Sequence, residues 1–239
     1  MLEPEAASRA ASTHVPPPAA FASGETSSRA LQILTTEHWS LLSARGLGYT
    51  EAMARATLFI SALAGAVVAL ALVSQAAHFG DGFVAFALVL LPVVYFLGVV
   101  TVARIAQING EDARWVQGLN RIRHAYLELA PELEPYFVAS RYDDDRGIIV
   151  STLARERVPS PVQAFIALPG LVAVVDSVVA GAAAGIATVG LDADTWAALA
   201  LGGLVFVLSL AVFAAFAVRT IAAHARTLVV RFPTPPEDT

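Results

Sequence analysis

The chain contains no cysteine and no lysine, and charged side chains are scarce. The absence of cysteine excludes disulfide bonds, iron–sulfur clusters and thiol catalysis. Charged residues make up 15% of the 239 residues, whereas a soluble domain of ordinary composition carries about 25%. Hydrophobic residues reach 56%, and the mean hydropathy is +0.65. This composition is typical of an integral membrane protein.

Four apolar runs are long enough to cross a bilayer. A hydrocarbon core of roughly 30 Å requires about 20 helical residues, and these runs lack the alternation of barrel strands. Helices satisfy their own backbone hydrogen bonds in lipid. We therefore predict an all-α fold: an integral membrane four-helix bundle of two hairpins, with a cytoplasmic helical insertion between spans 2 and 3. The predicted spans cover about 56–77, 83–104, 163–189 and 195–218.

The basic residues predict the orientation, because arginine and lysine favour the cytoplasmic side. All 15 of them are arginines. None lies in the two short turns that join the paired runs, His78–Gly82 and Gly190–Asp194, whose only charges are aspartates. The arginines that flank the spans instead precede span 1, fill the segment between spans 2 and 3, and follow span 4. Both termini and the central segment are therefore predicted to be cytoplasmic.

The segments outside the spans differ in composition. The first of them is rich in Pro, Ser and Ala, which predicts disorder. It carries Glu3 and Glu5 and lacks an apolar core, so a cleavable signal peptide is not expected. The predicted segments are a disordered cytoplasmic tail at 1–29, an amphipathic cytoplasmic helix at 30–49, hairpin 1 at 50–108, a cytoplasmic helix and connector at 109–161, hairpin 2 at 162–218 and an unstructured cytoplasmic tail at 219–239.

The segment 30–49 carries leucines at helical spacing, including Leu34 and Leu41. We expect Gly46 and Gly48 to break this helix before span 1 begins. Two placements are open for it. An amphipathic helix can lie along the inner membrane face, or it can pack on the protein's own cytoplasmic helix.

Span 2 is predicted to continue beyond the membrane as a helix that ends near Ala130, because Pro131 disfavours helical geometry in the residue before it. Apolar residues recur along this helix at steps of four and three, a heptad spacing that only Asp112 interrupts. Such a seam can pack within the chain or join two chains. Its positions are Trp115, Leu119, Ile122, Tyr126, Leu129 and Leu133.

Three adjacent aspartates, Asp143, Asp144 and Asp145, lie in the connector. Neighbouring residues seldom all point to one ion, and calcium loops space their ligands at alternate positions. We therefore expect a solvated acidic turn rather than a cation site.

Asp176 is the one acidic or basic residue well inside any predicted span. Because an isolated carboxylate is costly there, the side chain is expected to face other helices. Tyr95 and Ser209 lie near the middle of their spans and are its expected hydrogen-bond partners. Two interpretations stay open: a proton- or cation-responsive site, or a protonated carboxyl that holds helices together.

Small residues follow Asp176 along span 3. Ser177, Gly181 and Gly185 recur every four residues, which predicts a close helix–helix contact on this face. Pro92 and Pro169 are expected to kink spans 2 and 3.

No catalytic, metal-binding or cofactor motif is found. The five histidines are far apart and form no ligand-spaced pair, and the serines lack a nucleophile elbow. The basic run Arg121–His124 is too short to indicate nucleic-acid binding. We therefore predict no enzyme activity, no cofactor and no nucleic-acid partner.

The segment Glu111–Leu133, with the sequence EDARWVQGLNRIRHAYLELAPEL, resembles a family of uncharacterised actinobacterial integral membrane proteins. The resemblance extends over roughly residues 35–225. It implies four spans and a bacterial plasma membrane, and it implies no activity.

These observations predict a multi-pass membrane scaffold or interaction module that acts through its cytoplasmic helices. Its expected partners are the lipid bilayer and either a second copy of the chain or a cytoplasmic protein. The alternative is an oligomeric ion channel or proton-coupled transporter centred on Asp176.

Topology reporters inserted at Asp81 and Asp192 test the orientation. Because both turns lack basic residues, we expect a reporter active only outside the cytoplasm to be active at both positions and silent at Arg141. A cytoplasmic signal at either turn would contradict the predicted topology.

Overall fold

In the computed structural model, which describes residues 24–153 and 167–236, every regular element is helical. Side chains of residues 24–26, 153, 224 and 225 are outside this description. The predicted all-α class is confirmed for the described residues. The helices are α1 (Gly24–Ala77), α2 (Asp81–Leu129), a 3₁₀ helix (Pro131–Tyr136), α3 (Asp145–Leu153), α4 (Leu168–Val189) and α5 (Thr195–Ala225).

Four of these helices, α1, α2, α4 and α5, are long and apolar enough to cross a membrane. They contain the four predicted spans, and together they indicate a multi-pass membrane protein. The predictions for residues 1–23, for the connector at 154–161 and for the start of span 3 at 162–166 lie outside the described residues, as does the end of the tail at 237–239.

Helix α1 is one uninterrupted helix of 54 residues, so the predicted break at Gly46 and Gly48 is wrong. It also begins at Gly24, before the predicted start of an amphipathic helix at residue 30. A glycine inside a helix costs about 1 kcal/mol relative to alanine. The packing of neighbouring residues outweighs this cost, since Ala52 and Ala56 are buried and Arg45 is held by an ion pair.

Helix α2 has 49 residues and ends at Leu129, which confirms that span 2 continues as a helix to the proline at 131. At a rise of 1.5 Å per residue its length is about 74 Å, more than twice a hydrocarbon core of roughly 30 Å. Pro92 lies inside this helix without interrupting it. Pro169 lies in the first turn of α4, where its missing N–H costs nothing, so it starts that helix rather than kinking it.

The described residues form two compact units. Unit 1 contains residues 24–44 of α1, 113–129 of α2, the 3₁₀ helix, α3 and the segment 227–236; unit 2 contains residues 45–112 and 167–226. The buried apolar cluster of unit 2 draws on all four long helices, with Phe59 from α1, Ala87 from α2, Val172 from α4 and Phe213 from α5.

The turns of unit 2 reverse the chain within a few residues. His78, Phe79 and Asp192 adopt left-handed backbone angles, with φ of 50°, 58° and 58°. Asp194 accepts a hydrogen bond from the N–H of Ala197 at 2.8 Å and so caps the first turn of α5.

The second turn lies against the start of α2. A Cβ added at Gly190 would lie 2.6 Å from Cγ1 of Val84. The two aspartate-bearing turns therefore lie at the same end of unit 2.

Helices α4 and α5 cross with their backbones in close contact. A Cβ at Gly181 would lie 2.8 Å from the carbonyl oxygen of Gly202, and a Cβ at Gly202 would lie 2.9 Å from that of Gly181. Gly185 is next along the same crossing, and a Cβ there would lie 3.4 Å from the carbonyl oxygen of Ala198. The predicted helix-packing face is therefore confirmed for Gly181 and Gly185.

The substitution Gly181→Ala tests this crossing. The added methyl meets backbone rather than a flexible side chain, so we expect a loss of about 1–3 kcal/mol in the free energy of unfolding. The matched control is Gly203→Ala on α5, where a Cβ has no neighbour within 4 Å and only the helix propensity changes. Unfolding in detergent micelles, followed by circular dichroism, measures both. Equal stabilities for the two variants would show that the helices do not touch at Gly181.

Candidate functional sites

Asp176 is completely buried in unit 2. Neither carboxyl oxygen has a hydrogen-bond partner among the described residues. The group lies directly against the backbone of α2, because a Cβ added at Gly98 would overlap the carboxyl. The prediction that Asp176 faces another helix is confirmed.

The hydroxyl groups predicted to bond Asp176 bond one another instead. Tyr95 Oη and Ser209 Oγ lie 3.3 Å apart. Ser177 Oγ lies 3.1 Å from Ser209 Oγ and also donates to the carbonyl oxygen of Ala173 at 2.7 Å. The predicted bonds from Tyr95 and Ser209 to Asp176 are therefore wrong.

The reason is the rotation between neighbouring residues of a helix. Successive side chains on an α-helix point about 100° apart. Asp176 therefore faces Gly98 on α2, while Ser177 faces Ser209 on α5. The sequence indicated Ser177 only as a small packing residue, and it missed the role of its hydroxyl as the link between Ser209 and the α4 backbone.

Charged residues next to the apolar part of α1 form ion pairs within unit 2. Arg45 holds Asp112 with two hydrogen bonds, at 2.6 and 3.0 Å. Arg104 holds Glu51 in the same two-bonded manner, at 2.9 and 3.0 Å. The hydrogen bonds from Arg104 and from Arg55 lower the pKa of Glu51 to about 2. These pairs set the register of α1 against α2, and they explain why Asp112 interrupts the apolar seam.

The acidic turn of unit 1 is not solvated at Asp143, which is completely buried. Its carboxylate accepts a hydrogen bond from Arg121 Nε at 2.7 Å. It also accepts the backbone N–H of Arg231 at 3.0 Å and that of Phe232 at 2.7 Å. Residues far apart in sequence satisfy this carboxylate, so the prediction of a solvated turn is wrong for it. Asp145, by contrast, is exposed.

Asp144 holds the same C-terminal segment one step further along. Its side chain accepts the N–H of Thr234 at 2.7 Å and the hydroxyl of Thr234 at 2.9 Å. Burial alone would raise the pKa of Asp144, but the N–H donors of Thr234 and Gly147 outweigh it and the pKa is lowered. In the part of the chain that the structure describes, no group of three or more His, Cys, Asp or Glu side chains is placed to hold a metal.

Amide side chains on α2 complete this polar core. Gln117 donates to the carbonyl oxygens of Asp143, at 2.9 Å, and Val229, at 3.2 Å. Asn120, also buried, donates to the carbonyl oxygen of Tyr142 at 2.7 Å. The connector and the residues 229–234, which we call the C-terminal segment, are thus attached to one face of α2. The prediction that this part of the tail is unstructured is wrong.

The N-terminal part of α1 packs on α2 within unit 1. His38 stacks on Tyr126 with ring centroids 6.0 Å apart, and a Cβ at Gly118 would lie 2.9 Å from the side chain of Leu41. Of the two placements left open for this segment, the contacts support packing on the protein's own helix. Among the seam positions Leu119 and Ile122 are buried, Trp115, Tyr126 and Leu129 are half-buried, and Leu133 is exposed in the 3₁₀ helix.

An apolar surface lies on the connector of unit 1. Val138 is 94% exposed and Tyr136 is 80% exposed, and Ile149 and Val150 of α3 are about half exposed. Val138 and Val150 line a cavity of about 290 Å³, whose wall also includes Leu127, Phe137 and Tyr142. We call Tyr136, Val138, Ile149, Val150 and this cavity the connector surface. Nothing in the sequence distinguished these residues from the polar segment around them.

Removing the Asp143 carboxylate tests the polar core. In Asp143→Ala the N–H groups of Arg231 and Phe232 lose their acceptor, and we expect a local loss of about 1–3 kcal/mol. Hydrogen exchange measured by mass spectrometry should then show faster exchange across residues 229–234. The matched control is Asp145→Ala, since that neighbouring carboxylate is exposed. Equal exchange in both variants would mean that Asp143 does not hold the C-terminal segment.

The chain matches no family model, no curated protein and no solved structure. Its function is therefore argued from these sites alone.

Proposed function

We propose that this protein is a membrane-embedded scaffold whose unit 1 binds a protein partner through the connector surface. In this proposal the four long helices form a bundle of two hairpins in a bacterial plasma membrane. The helical insertion between spans 2 and 3, together with both termini, lies in the cytoplasm. The support for this orientation is the placement of the arginines, together with the contact that brings both arginine-free turns to one end of unit 2.

The observation that carries the proposal is the exposed apolar area of the connector surface. An exposed Leu or Val inside a predicted span requires no partner, because lipid covers it. Tyr136, Val138 and Ile149 lie in a stretch that also holds Glu132, Glu134 and Arg141, which excludes it as a membrane span. Contiguous apolar surface exposed to water marks an interaction site.

The polar core beneath the connector surface supports the same role. A docking surface binds with less entropic cost when its backbone is already held in place. Here Gln117, Asn120 and Asp143 attach the connector to α2 through hydrogen bonds to its backbone and to the C-terminal segment. The connector surface is therefore a shaped platform on a helix.

Site-specific photo-cross-linking in native membranes tests the scaffold function. With a photoreactive residue at Val138 we expect one discrete adduct with a second protein, and the change Val150→Asp should reduce that adduct about tenfold, as the loss of an apolar contact at an interface centre does. The matched control carries the photoreactive residue at Glu37, an exposed position on α1 in unit 1. The same adduct from both positions, or none from Val138, would contradict the proposal.

A second candidate function is an oligomeric ion channel or proton-coupled transporter centred on Asp176. The observation in its favour is the buried carboxyl without a hydrogen-bond donor, since ionisable residues inside membranes often lie on ion or proton pathways. Flux measurements in liposomes separate the two candidates. Ion or proton flux in the wild type that is lost in Asp176→Asn would replace the scaffold proposal; we expect no flux from either protein.

A further inference from the structure

The environment of Asp176 points to a ligand that neither candidate function specifies. The carboxyl is completely buried, and neither oxygen has a donor among the described residues. A carboxylate buried in this way costs several kcal/mol unless a positive charge or hydrogen-bond donors compensate it. The neutral acid avoids most of that cost.

No neighbouring helix offers a compensating charge. The residues 56–77 of α1 and 195–218 of α5 contain no ionisable side chain, and the residues 83–103 of α2 contain only Tyr95. The hydroxyl of Tyr95 is bonded to Ser209. On α4 itself, residues 168–189 contain no ionisable group besides Asp176.

The space at the carboxyl excludes a metal ion as the missing charge. A single methyl group on Gly98 would overlap the Asp176 carboxyl, so the carboxyl packs directly on the α2 backbone. Calcium takes six to eight oxygen ligands at about 2.3–2.6 Å, and magnesium keeps several waters. A proton is the one cation that requires no additional space.

We propose that Asp176 is a proton-binding site, and that release of the proton separates α4 from α2 at Gly98. The ionised carboxylate requires donors or water, which the closed contact does not admit. Only movement of α2 away from α4 would provide them. The inference goes beyond the scaffold function, and it does not require a proton to cross the membrane.

Infrared spectroscopy of the full-length protein in liposomes tests the bound proton. At neutral pH we expect a carbonyl-stretch band of a protonated carboxylic acid that moves when the aspartates carry ¹³C in the side-chain carboxyl. The band should be absent in Asp176→Asn and unchanged in the control Asp192→Asn, whose carboxylate lies in an exposed turn. Because the labelled wild type shows the band without any substitution, a variant that fails to fold does not obscure the result. A wild type without a label-sensitive band at neutral pH would overturn the proposal.

Spin labels test the separation of the helices. The chain has no native cysteine, so Val93→Cys on α2 and Val178→Cys on α4, both exposed positions, would carry the only two labels. We expect the label-to-label distance to stay constant while the band is present and to increase as alkaline pH removes the band. In the Asp176→Asn background the distance should stay constant throughout. A band that disappears without a change in distance, or that persists wherever the protein stays folded, would overturn the proposal.

Gly98→Ala provides a test at constant pH. The added methyl displaces the carboxyl, so we expect a longer label-to-label distance and loss of the band at neutral pH. The matched control is Gly65→Ala on α1, where a Cβ has no neighbour within 4 Å. A Gly98→Ala protein with the distance and the band of the wild type would contradict the Asp176–Gly98 contact.

Discussion

The packing of unit 2 depends on the close approach of helix backbones at glycine. In lipid the hydrophobic effect does not drive helices together, so van der Waals contact between small residues must hold them. At Gly181 and Gly202 each backbone fills the position that a Cβ of the other would need. At Gly98 the partner is the carboxyl of Asp176. The same kind of contact therefore sets one helix crossing and encloses the one acidic group within the spans.

Unit 1 depends on a different interaction, the burial of a satisfied carboxylate. Asp143 receives Arg121 from α2 and two backbone N–H groups from the C-terminal segment. A carboxylate that accepts several charge-assisted or backbone hydrogen bonds is stable in a buried position, whereas Asp176 has no such donors. The two buried aspartates thus have opposite chemistry: one organises a polar core as an anion, and the other is compatible with its surroundings only as a neutral acid.

Several local features followed from the sequence because their causes are local. Pro131 set the end of α2 at Leu129, and the length of the apolar runs predicted the four helices that can span a membrane. The predictions that failed involve contacts between distant residues. Gly46 and Gly48 were expected to break α1, yet packing keeps it helical. Asp143 was expected in solvent, but its partner Phe232 is 89 positions away.

The sequence by itself determined the helical class, the number of membrane-spanning helices and the end at which the arginines lie. These properties depend on composition and periodicity, since a long apolar segment in lipid must satisfy its backbone hydrogen bonds internally. Only the tertiary structure decided which side chains meet. Asp176 faces Gly98, and Ser177 faces Ser209, because a helix rotates neighbouring residues by about 100°. Which neighbour lies at each of those directions is a property of the packed helices, and no single run of sequence contains it.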